Sequence, residues 1–437
     1  MRCIHEHCNP DMNKMRIRAK GGVIALTMVA MTLNGCGMDD GDQNPVQVND
    51  PILPPETIAL TRAEVEMVQQ SNGFAFDLFR QMTSSGSSDL QSKSFIVSPI
   101  SITYALGMLN NGAAGNTQAQ INDVLGFGDT GADSINAFCY KMLKTAPAVD
   151  PLTKVLIANT IYMNQGYTLY PDFVQKAKVF YEAVPETRNF FDGETMDVIN
   201  KWASDHTEQM IEKVLDESSF DPSAVSYLLN AIYFKGSWAK KFDKAKTKDE
   251  TFRLAGDDNR TITVPMMYQK SEFEYCVIDG YQALRLPYGN GSYQMTLLMP
   301  FDYDAEYYDL PILPTAQVWE ELNRRMDSTT VAVKLPRFET KTDLDLTEIM
   351  IQLGMPDAFD AFKADFSKFC EHPTWIDLMK QVARIKVDEE GTEAAAVTVT
   401  KIKYSMDPFF YADHPFIYII SEKSTGAIFF IGQYTGE

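Results

Sequence analysis

The chain ends inside its own core. Residues 416–420 and 427–431 are two apolar runs joined by a polar turn, and only a handful of residues follow before Glu437. Such an ending loses its driving force if left in water, so it must pack against elements laid down earlier. Those elements are mixed. Strand-like runs lie at 155–163, 227–234, 293–299, 331–335 and 382–387, and Asn290-Gly291 is a hairpin signal between two apolar runs. Helix signals alternate with them. Thr61-Arg62-Ala63-Glu64 and Thr117-Gln118-Ala119-Gln120 read as capping boxes, and Ser98-Pro99 as an N-cap followed by a first-turn proline. Residues 196–215 read as one long helix with Ile199, Trp202, Ile211 and Leu215 on its apolar side. From 61 to 437 there is no repeat and no clean linker, which predicts one α+β domain with both sheet faces covered.

The first sixty residues are of another kind. Residues 12–20 are basic, 21–33 are apolar and uncharged, and Leu33-Asn34-Gly35-Cys36 closes the run. This is the layout of a signal peptide, too short to stay as a membrane span. The closing residues resemble the lipobox of bacterial lipoproteins, although Asn34 is not the small residue usual at its place. The resemblance implies a signal peptide with lipobox over 1–36, cleaved so that Cys36, lipidated on its thiol, becomes the mature N-terminus. Residues 37–60 are rich in Asp, Asn and Pro, with Pro51, Pro54 and Pro55, and read as a flexible tether. The expected location is therefore secreted and lipid-anchored. Gly37 and Asp39-Asp40 favour the outer membrane or cell surface, with the periplasmic side also open. Cys3-Ile4-His5-Glu6-His7-Cys8 has the look of a metal cluster, but it precedes the leader. It is removed with it, or never made if translation starts at Met12 or Met15, so no metal or cofactor is expected.

Charge and catalytic residues exclude more than they suggest. With 39 Lys+Arg against 59 Asp+Glu, the net charge is -20. An acidic surface repels phosphate and sulfate polymers, so neither nucleic acid nor a heparin-like cofactor is expected. Beyond the leader, Cys139, Cys276 and Cys370 are an odd, scattered set that suits buried free thiols rather than a disulfide framework. There is no G-x-S-x-G, HExxH or Walker pattern, and His206, His372 and His414 stand in no catalytic context. A non-enzyme is the expectation, with an unrecognised hydrolase as the remote alternative.

Four segments then converge. Ser94-Phe95-Ile96-Val97-Ser98-Pro99-Ile100-Ser101, Asn230-Ala231-Ile232-Tyr233-Phe234-Lys235-Gly236-Ser237-Trp238, Asp388-Glu389-Glu390-Gly391-Thr392-Glu393-Ala394-Ala395-Ala396 and Tyr411-Ala412-Asp413-His414-Pro415-Phe416 each resemble a serpin segment, in the serpin order. The resemblance implies a single domain of three β-sheets and eight or nine helices with an exposed reactive-centre loop, here about 391–410. It implies a suicide inhibitor. A target protease cleaves the loop and is held as an acyl-enzyme, while the loop inserts as a new strand into the central sheet. It also implies residues that govern opening of that sheet. Ser98, Ser101 and Asn230 match them, Trp238 falls where the loop first inserts, and Gln381 stands where a histidine is common. A monomer acting on serine proteases, with papain-like cysteine proteases also compatible, is the expected mode. A serpin fold kept only as a surface binding protein is the alternative.

The loop has the residues that insertion needs. Side chains alternate faces along a strand. Thr392, Ala394, Ala396, Thr398, Thr400, Ile402 and Tyr404 carry no charge, whereas Glu393, Lys401 and Lys403 share the other face with Ala395, Val397 and Val399. No proline occurs from 391 to 405, so no ladder donor is missing. The hinge is assigned to Glu390, Gly391, Thr392, Glu393, Ala394, Ala395 and Ala396. Counting forward from it puts the cleaved bond at Ser405-Met406, and counting back from Pro415 puts it at Tyr404-Ser405. Lys401 and Lys403 suit trypsin-like enzymes, Tyr404 chymotrypsin-like ones and Ser405 elastase-like ones, so the target stays open.

Overall fold

The computed structural model describes residues 54–84, 89–254, 260–278, 280–300, 314–390 and 407–436. Cys36 and the leader, most of the tether, the hinge from Gly391 to Ala396 and the bonds at Tyr404, Ser405 and Met406 lie outside the described residues.

In chain order the helices are α1 (Arg62–Thr83), α2 (Pro99–Asn110), α3 (Gly115–Val124), α4 (Ala132–Thr145), α5 (Pro171–Tyr181), α6 (Thr195–His206), α7 (Ala316–Arg325) and α8 (Thr347–Leu353). The strands are β1 (Phe95–Val97), β2 (Thr153–Asn164), β3 (Glu186–Arg188), β4 (Ser226–Gly236), β5 (Lys248–Arg253), β6 (Thr261–Ile278), β7 (Tyr281–Tyr288), β8 (Tyr293–Pro300), β9 (Asp327–Pro336), β10 (Phe338–Asp345), β11 (Leu378–Val387), β12 (Phe409–Tyr411), β13 (Phe416–Glu422) and β14 (Ile428–Tyr434).

Several starts are set locally. Thr61 and Glu64 form the reciprocal capping box, with Glu64 N donating to Thr61 Oγ1 at 3.3 Å and Thr61 N to Glu64 Oε2 at 2.6 Å. Ser98 caps α2, whose residues are all buried, so this helix has no polar face to show. Two expectations need correction. Thr117 does not cap a helix: α3 begins earlier, at Gly115, and the Thr117 hydroxyl accepts from Asp365 N at 2.9 Å. The helix expected over 196–215 stops at His206. Glu208 and Gln209 take positive φ there, and the Asn200 side chain accepts from Val214 N and Leu215 N, each at 2.9 Å. Ile211 and Leu215 are buried as expected, but on the irregular stretch that follows α6 rather than on a helix.

The larger sheet follows the path β1-β14-β13-β8-β7-β6-β9-β12, with β5 also on β6. Its long β6 pairs with β5 through Thr261–Met266 at one end and with β7 through Glu274–Ile278 at the other. Counting those two ends as separate sheets gives, with the smaller sheet, the three expected. β13 lies between β8 and β14, so the C-terminal strands are interior and fully buried. The smaller sheet has five strands in the order β10-β11-β4-β2-β3. One face joins the main core through Leu228, Ile232 and Phe234. The other carries a second cluster beneath α6, with Tyr227, Leu229 and Ala231 against Ile199 and Ala203. Among the described residues no helix is long and apolar enough to cross a membrane.

Candidate functional site

The central pair of the five-stranded sheet, β4 and β11, is parallel, from Leu378 opposite Tyr227 to Ile385 opposite Phe234. β11 is the last strand before residues 391–406. Any chain that turned back after Val387 and entered this seam would run antiparallel to both neighbours. The seam is held at its middle and at both ends.

At the middle, the register sets Gln381 opposite Asn230 and Asn230 opposite Asn159, a polar row across three strands. Strand alternation points Asn230 to the same face as Leu228 and Ile232, towards the start of α2. Gln381 Nε2 donates across the seam to Asn230 Oδ1 at 2.6 Å. It also donates to Ser98 O at 3.2 Å, while its Oε1 accepts from Ser98 N at 2.8 Å. Asn230 Nδ2 donates to Ser101 Oγ, and to Asn159 Oδ1 at 2.6 Å. Gln381 and Asn230 are each 1% exposed. Buried amides of this kind hold only while every partner is present. Gln381 uses its acceptor and both donor hydrogens, three bonds in all. A neutral imidazole has one donor and one acceptor, so a histidine here could not serve the same three partners. Nor does an amide titrate near neutrality, which removes this row from any pH response.

At the upper end, the Trp238 indole N–H donates to Asp388 O at 2.8 Å, and its ring stacks on Tyr288 at 4.3 Å. Gly236 makes room: a Cβ there would lie 2.6 Å from Tyr288 Cδ1. Glu389 follows, with its side chain only 1% exposed. Its carboxylate accepts from Arg337 at 2.6 and 3.1 Å and from Thr247 Oγ1 at 2.6 Å. Burial pushes its pKa up, but the Arg337 and Thr247 bonds outweigh that and hold it below the usual value. Glu390, the one hinge residue that is described, pairs with Lys244 in solvent.

At the lower end, Asp377 accepts from Val225 N at 2.5 Å and Ser226 N at 3.2 Å, and Ser226 Oγ donates to Trp375 O at 2.7 Å. On the α6 side, Arg384 of β11 donates to Met210 O at 3.2 Å, tying the strand to the chain that follows α6.

The sequence pointed to Ser98, Ser101, Asn230, Gln381 and Trp238, and the fold brings the first four into one network with Trp238 at its upper end. It missed Asn159, Asp377 and Glu389. An Asn in the middle of the run 155–163, beside Thr160, was the only available signal for Asn159. In Asp388-Glu389-Glu390 nothing local marks which carboxylate is buried.

A nucleophilic site gains no support. Cys139, Cys276 and Cys370 are free and buried, and burial pushes the Cys139 thiol up to about 12 and raises the other two. The Cys370 thiol donates to the backbone oxygen of His372. Thiols held protonated are inert.

Known proteins with similar sequence and shape bear on the seam. The family model described as "Serpin (serine protease inhibitor)" matches residues 69–436. The horse leukocyte elastase inhibitor is 33% identical over 381 residues, 83% of this chain and 97% of that protein. An uncharacterized serpin-like protein of the archaeon Methanosarcina mazei is 26% identical, over 94% of this chain and 96% of that protein. The native thermophilic serpin tengpin superposes with a TM-score of 0.75 at 27% identity, covering 90% of this chain and 99% of that one.

Proposed function

The chain belongs to the serpin family of protease inhibitors, and on that premise we propose that it is an inhibitory member that traps its target by inserting its cleaved loop between β4 and β11. The observation that carries the proposal is the parallel pairing of those strands, with β11 leading directly into the loop. Insertion exchanges one parallel pairing for two antiparallel ones, and antiparallel ladders are the more stable per residue. Length is sufficient. At ~3.3 Å per residue, residues 391–405 reach ~50 Å, and the 11-residue β4 is ~36 Å long. The uncut sheet is held shut by the Gln381–Asn230 bond, the Glu389 clamp and the Asp377 tie. Cleavage frees a strand whose insertion more than replaces them, and the starting fold is a kinetically held state.

Mixing the purified protein with trypsin-, chymotrypsin-, elastase- and papain-like enzymes tests this on denaturing gels. The expected result is a band at the summed mass with at least one enzyme, together with a rise in melting temperature of the nicked protein. Cleavage by every enzyme without such a band or such a rise defeats the inhibitory reading, and turnover of a substrate without consumption of the protein favours a hydrolase.

The same proposal places the domain outside the cell membrane, tethered through lipid on Cys36 and meeting host or rival proteases there. It is supported by the basic and apolar runs before Leu33-Asn34-Gly35-Cys36 and by the Pro- and Asp-rich stretch after it. Labelled fatty acid is expected to mark the wild-type protein and to be absent from Cys36→Ala. Equal labelling of the two rules the anchor out.

A further inference from the structure

We propose that the acidic hollow at the lower end of β4 and β11, on the α6 side of the sheet, receives Lys401 and Lys403 of the cleaved loop and holds the far end of the inserted strand by charge. This rests on the inhibitory reading and adds to it the side of the sheet that the loop's charged face takes.

The hollow holds ≈ 550 Å³. Asp216, Asp221, Asp343, Asp345 and Asp377 line it, with Lys380 as the one cation among its lining residues. Lys380 pairs with Asp343 at 2.8 Å. The other four carboxylates accept from neutral donors. Asp216 accepts from the Ser218 and Ser219 hydroxyls at 2.7 and 2.9 Å, and Asp221 from Ser223 Oγ at 2.7 Å. Asp345 accepts from Thr347 N at 2.9 Å, and Asp377 from Val225 N, Ser226 N and the Trp375 indole. The serine bonds hold Asp216 and Asp221 below the usual carboxylate range, so both are charged at neutral pH. Carboxylates crowded this way repel one another. Insertion adds to the excess. Parting β4 from β11 breaks the Asp377 tie to Val225 and Ser226, and that carboxylate must find new partners.

Charge and register name the occupant. β11 runs from Leu378 to Val387. A reversal over 388–391 sets Thr392 opposite Val387, and each later residue steps one place back along β11. Lys401 then falls opposite Leu378, and Lys403 opposite Ile376, just before the strand begins. Opposite residues of an antiparallel pair share a face. Val387 belongs to the main core and Leu378 to the cluster beneath α6. The uncharged face of the loop therefore enters the core, and the face of Glu393, Lys401 and Lys403 lies on the α6 side. Its two lysines arrive beside the aspartates. Tyr227, opposite Leu378 in the uncut sheet, donates to Asp221 O at 2.8 Å and fixes Asp221 over this end of β4.

Carbodiimide joins a lysine to a carboxylate only when the two are in contact. It is applied to the wild-type protein before and after an elastase- or chymotrypsin-like enzyme nicks the loop. Peptide mapping is expected to find Lys401 or Lys403 joined to one of the five aspartates in the nicked form alone. Asp216→Asn/Asp221→Asn keeps acceptors for the serine bonds and removes two charges. It is expected to leave the uncut protein as stable or more so, because repulsion falls. The rise in melting temperature on nicking, read in urea, is expected to shrink by about 2 °C at low salt and to be unaffected at high salt. Lys401→Gln/Lys403→Gln is expected to shrink the rise equally, and the four changes together no further. Absence of the links from the nicked form, their presence in the uncut form, or an unaltered rise in both variants overturns this placement, while a rise in the wild type upholds the inhibitory reading. No rise on nicking the wild type overturns both.

Discussion

Thr392→Arg is expected to turn the trap into a substrate. The variant should be cleaved by the same enzyme as the wild type, at a similar rate, yet leave a nicked inhibitor and active protease instead of a covalent band. Thr392 is the first side chain of the loop's uncharged face, so it is the first that must pass into the seam after the hinge turns. Between β4 and β11 that face meets either the Leu228–Ile232 side or the Leu229–Ala231 side, and both are lined by buried apolar residues. An arginine set among those apolar residues is a buried charge, and an unpaired one costs several kcal/mol. Even ~3 kcal/mol placed in the barrier slows insertion more than a hundredfold, which hands the race to deacylation. Glu393→Lys is the control. It keeps a charge on the face that already carries Glu393, Lys401 and Lys403, and it should still trap. Retained trapping by Thr392→Arg, or equal loss in both variants, would sink the parity argument. The panel of proteases that reveals the wild-type complex is the measurement, run at several inhibitor-to-enzyme ratios so that partitioning is read as stoichiometry.

What the sequence could and could not reveal follows from range. Local chemistry was legible: Thr61 with Glu64 and Ser98 with Pro99 start helices because their partners lie within one turn. The strand runs were legible because apolar residues dominate each of them. The helix assigned to 196–215 failed since its apolar spacing persists past His206, while the turn at Glu208 and Gln209 and the capture of Val214 and Leu215 by Asn200 are choices of tertiary structure. The site divides in the same way. Asn230 is a polar residue in a mostly apolar strand, whereas Gln381 shares β11 with Lys380, Arg384 and Lys386, and their being opposite each other is a matter of register. Asp377 sits 151 residues from Ser226, and its tie to that backbone has no local mark. Trp238 was identified, with Gly236 two residues before it, but its stacking partner Tyr288 comes from β7, in the other sheet. The polar row works because its members converge from α2, β2, β4 and β11, an arrangement that exists only in the folded chain.

Glu389→Lys should loosen the upper end of the seam and lower the thermal stability of the uncut protein. The Glu389 carboxylate is buried, while Arg337 is 45% exposed. Removing one partner of a fully buried pair costs about 3–5 kcal/mol. Here Arg337 can rehydrate, so the loss is nearer ~2–3 kcal/mol, plus repulsion between the new ammonium and the guanidinium. The sign of the pH effect follows from the depressed carboxyl. Its contribution is complete above the ordinary glutamate value of about 4.3 and drains away as pH falls through the lower folded value. Wild type and Glu389→Gln should therefore differ in melting temperature by several degrees at pH 7 and converge in acid. The pairing, rather than the mere volume of the side chain, is isolated by a charge swap. Glu389→Lys combined with Arg337→Glu restores opposite charges at the same place and should recover much of the lost stability, with the coupling read from the double-mutant cycle. Since Asp388 and Glu389 immediately precede the hinge, Glu389→Lys should also free the first residues of the loop to insert without cleavage. A fraction of the uncut protein is then expected to convert on incubation at 37 °C into a form that no longer traps protease and melts at higher temperature. Unchanged melting in Glu389→Lys, or a charge swap as unstable as the single variant, would show that this clamp does not hold the seam.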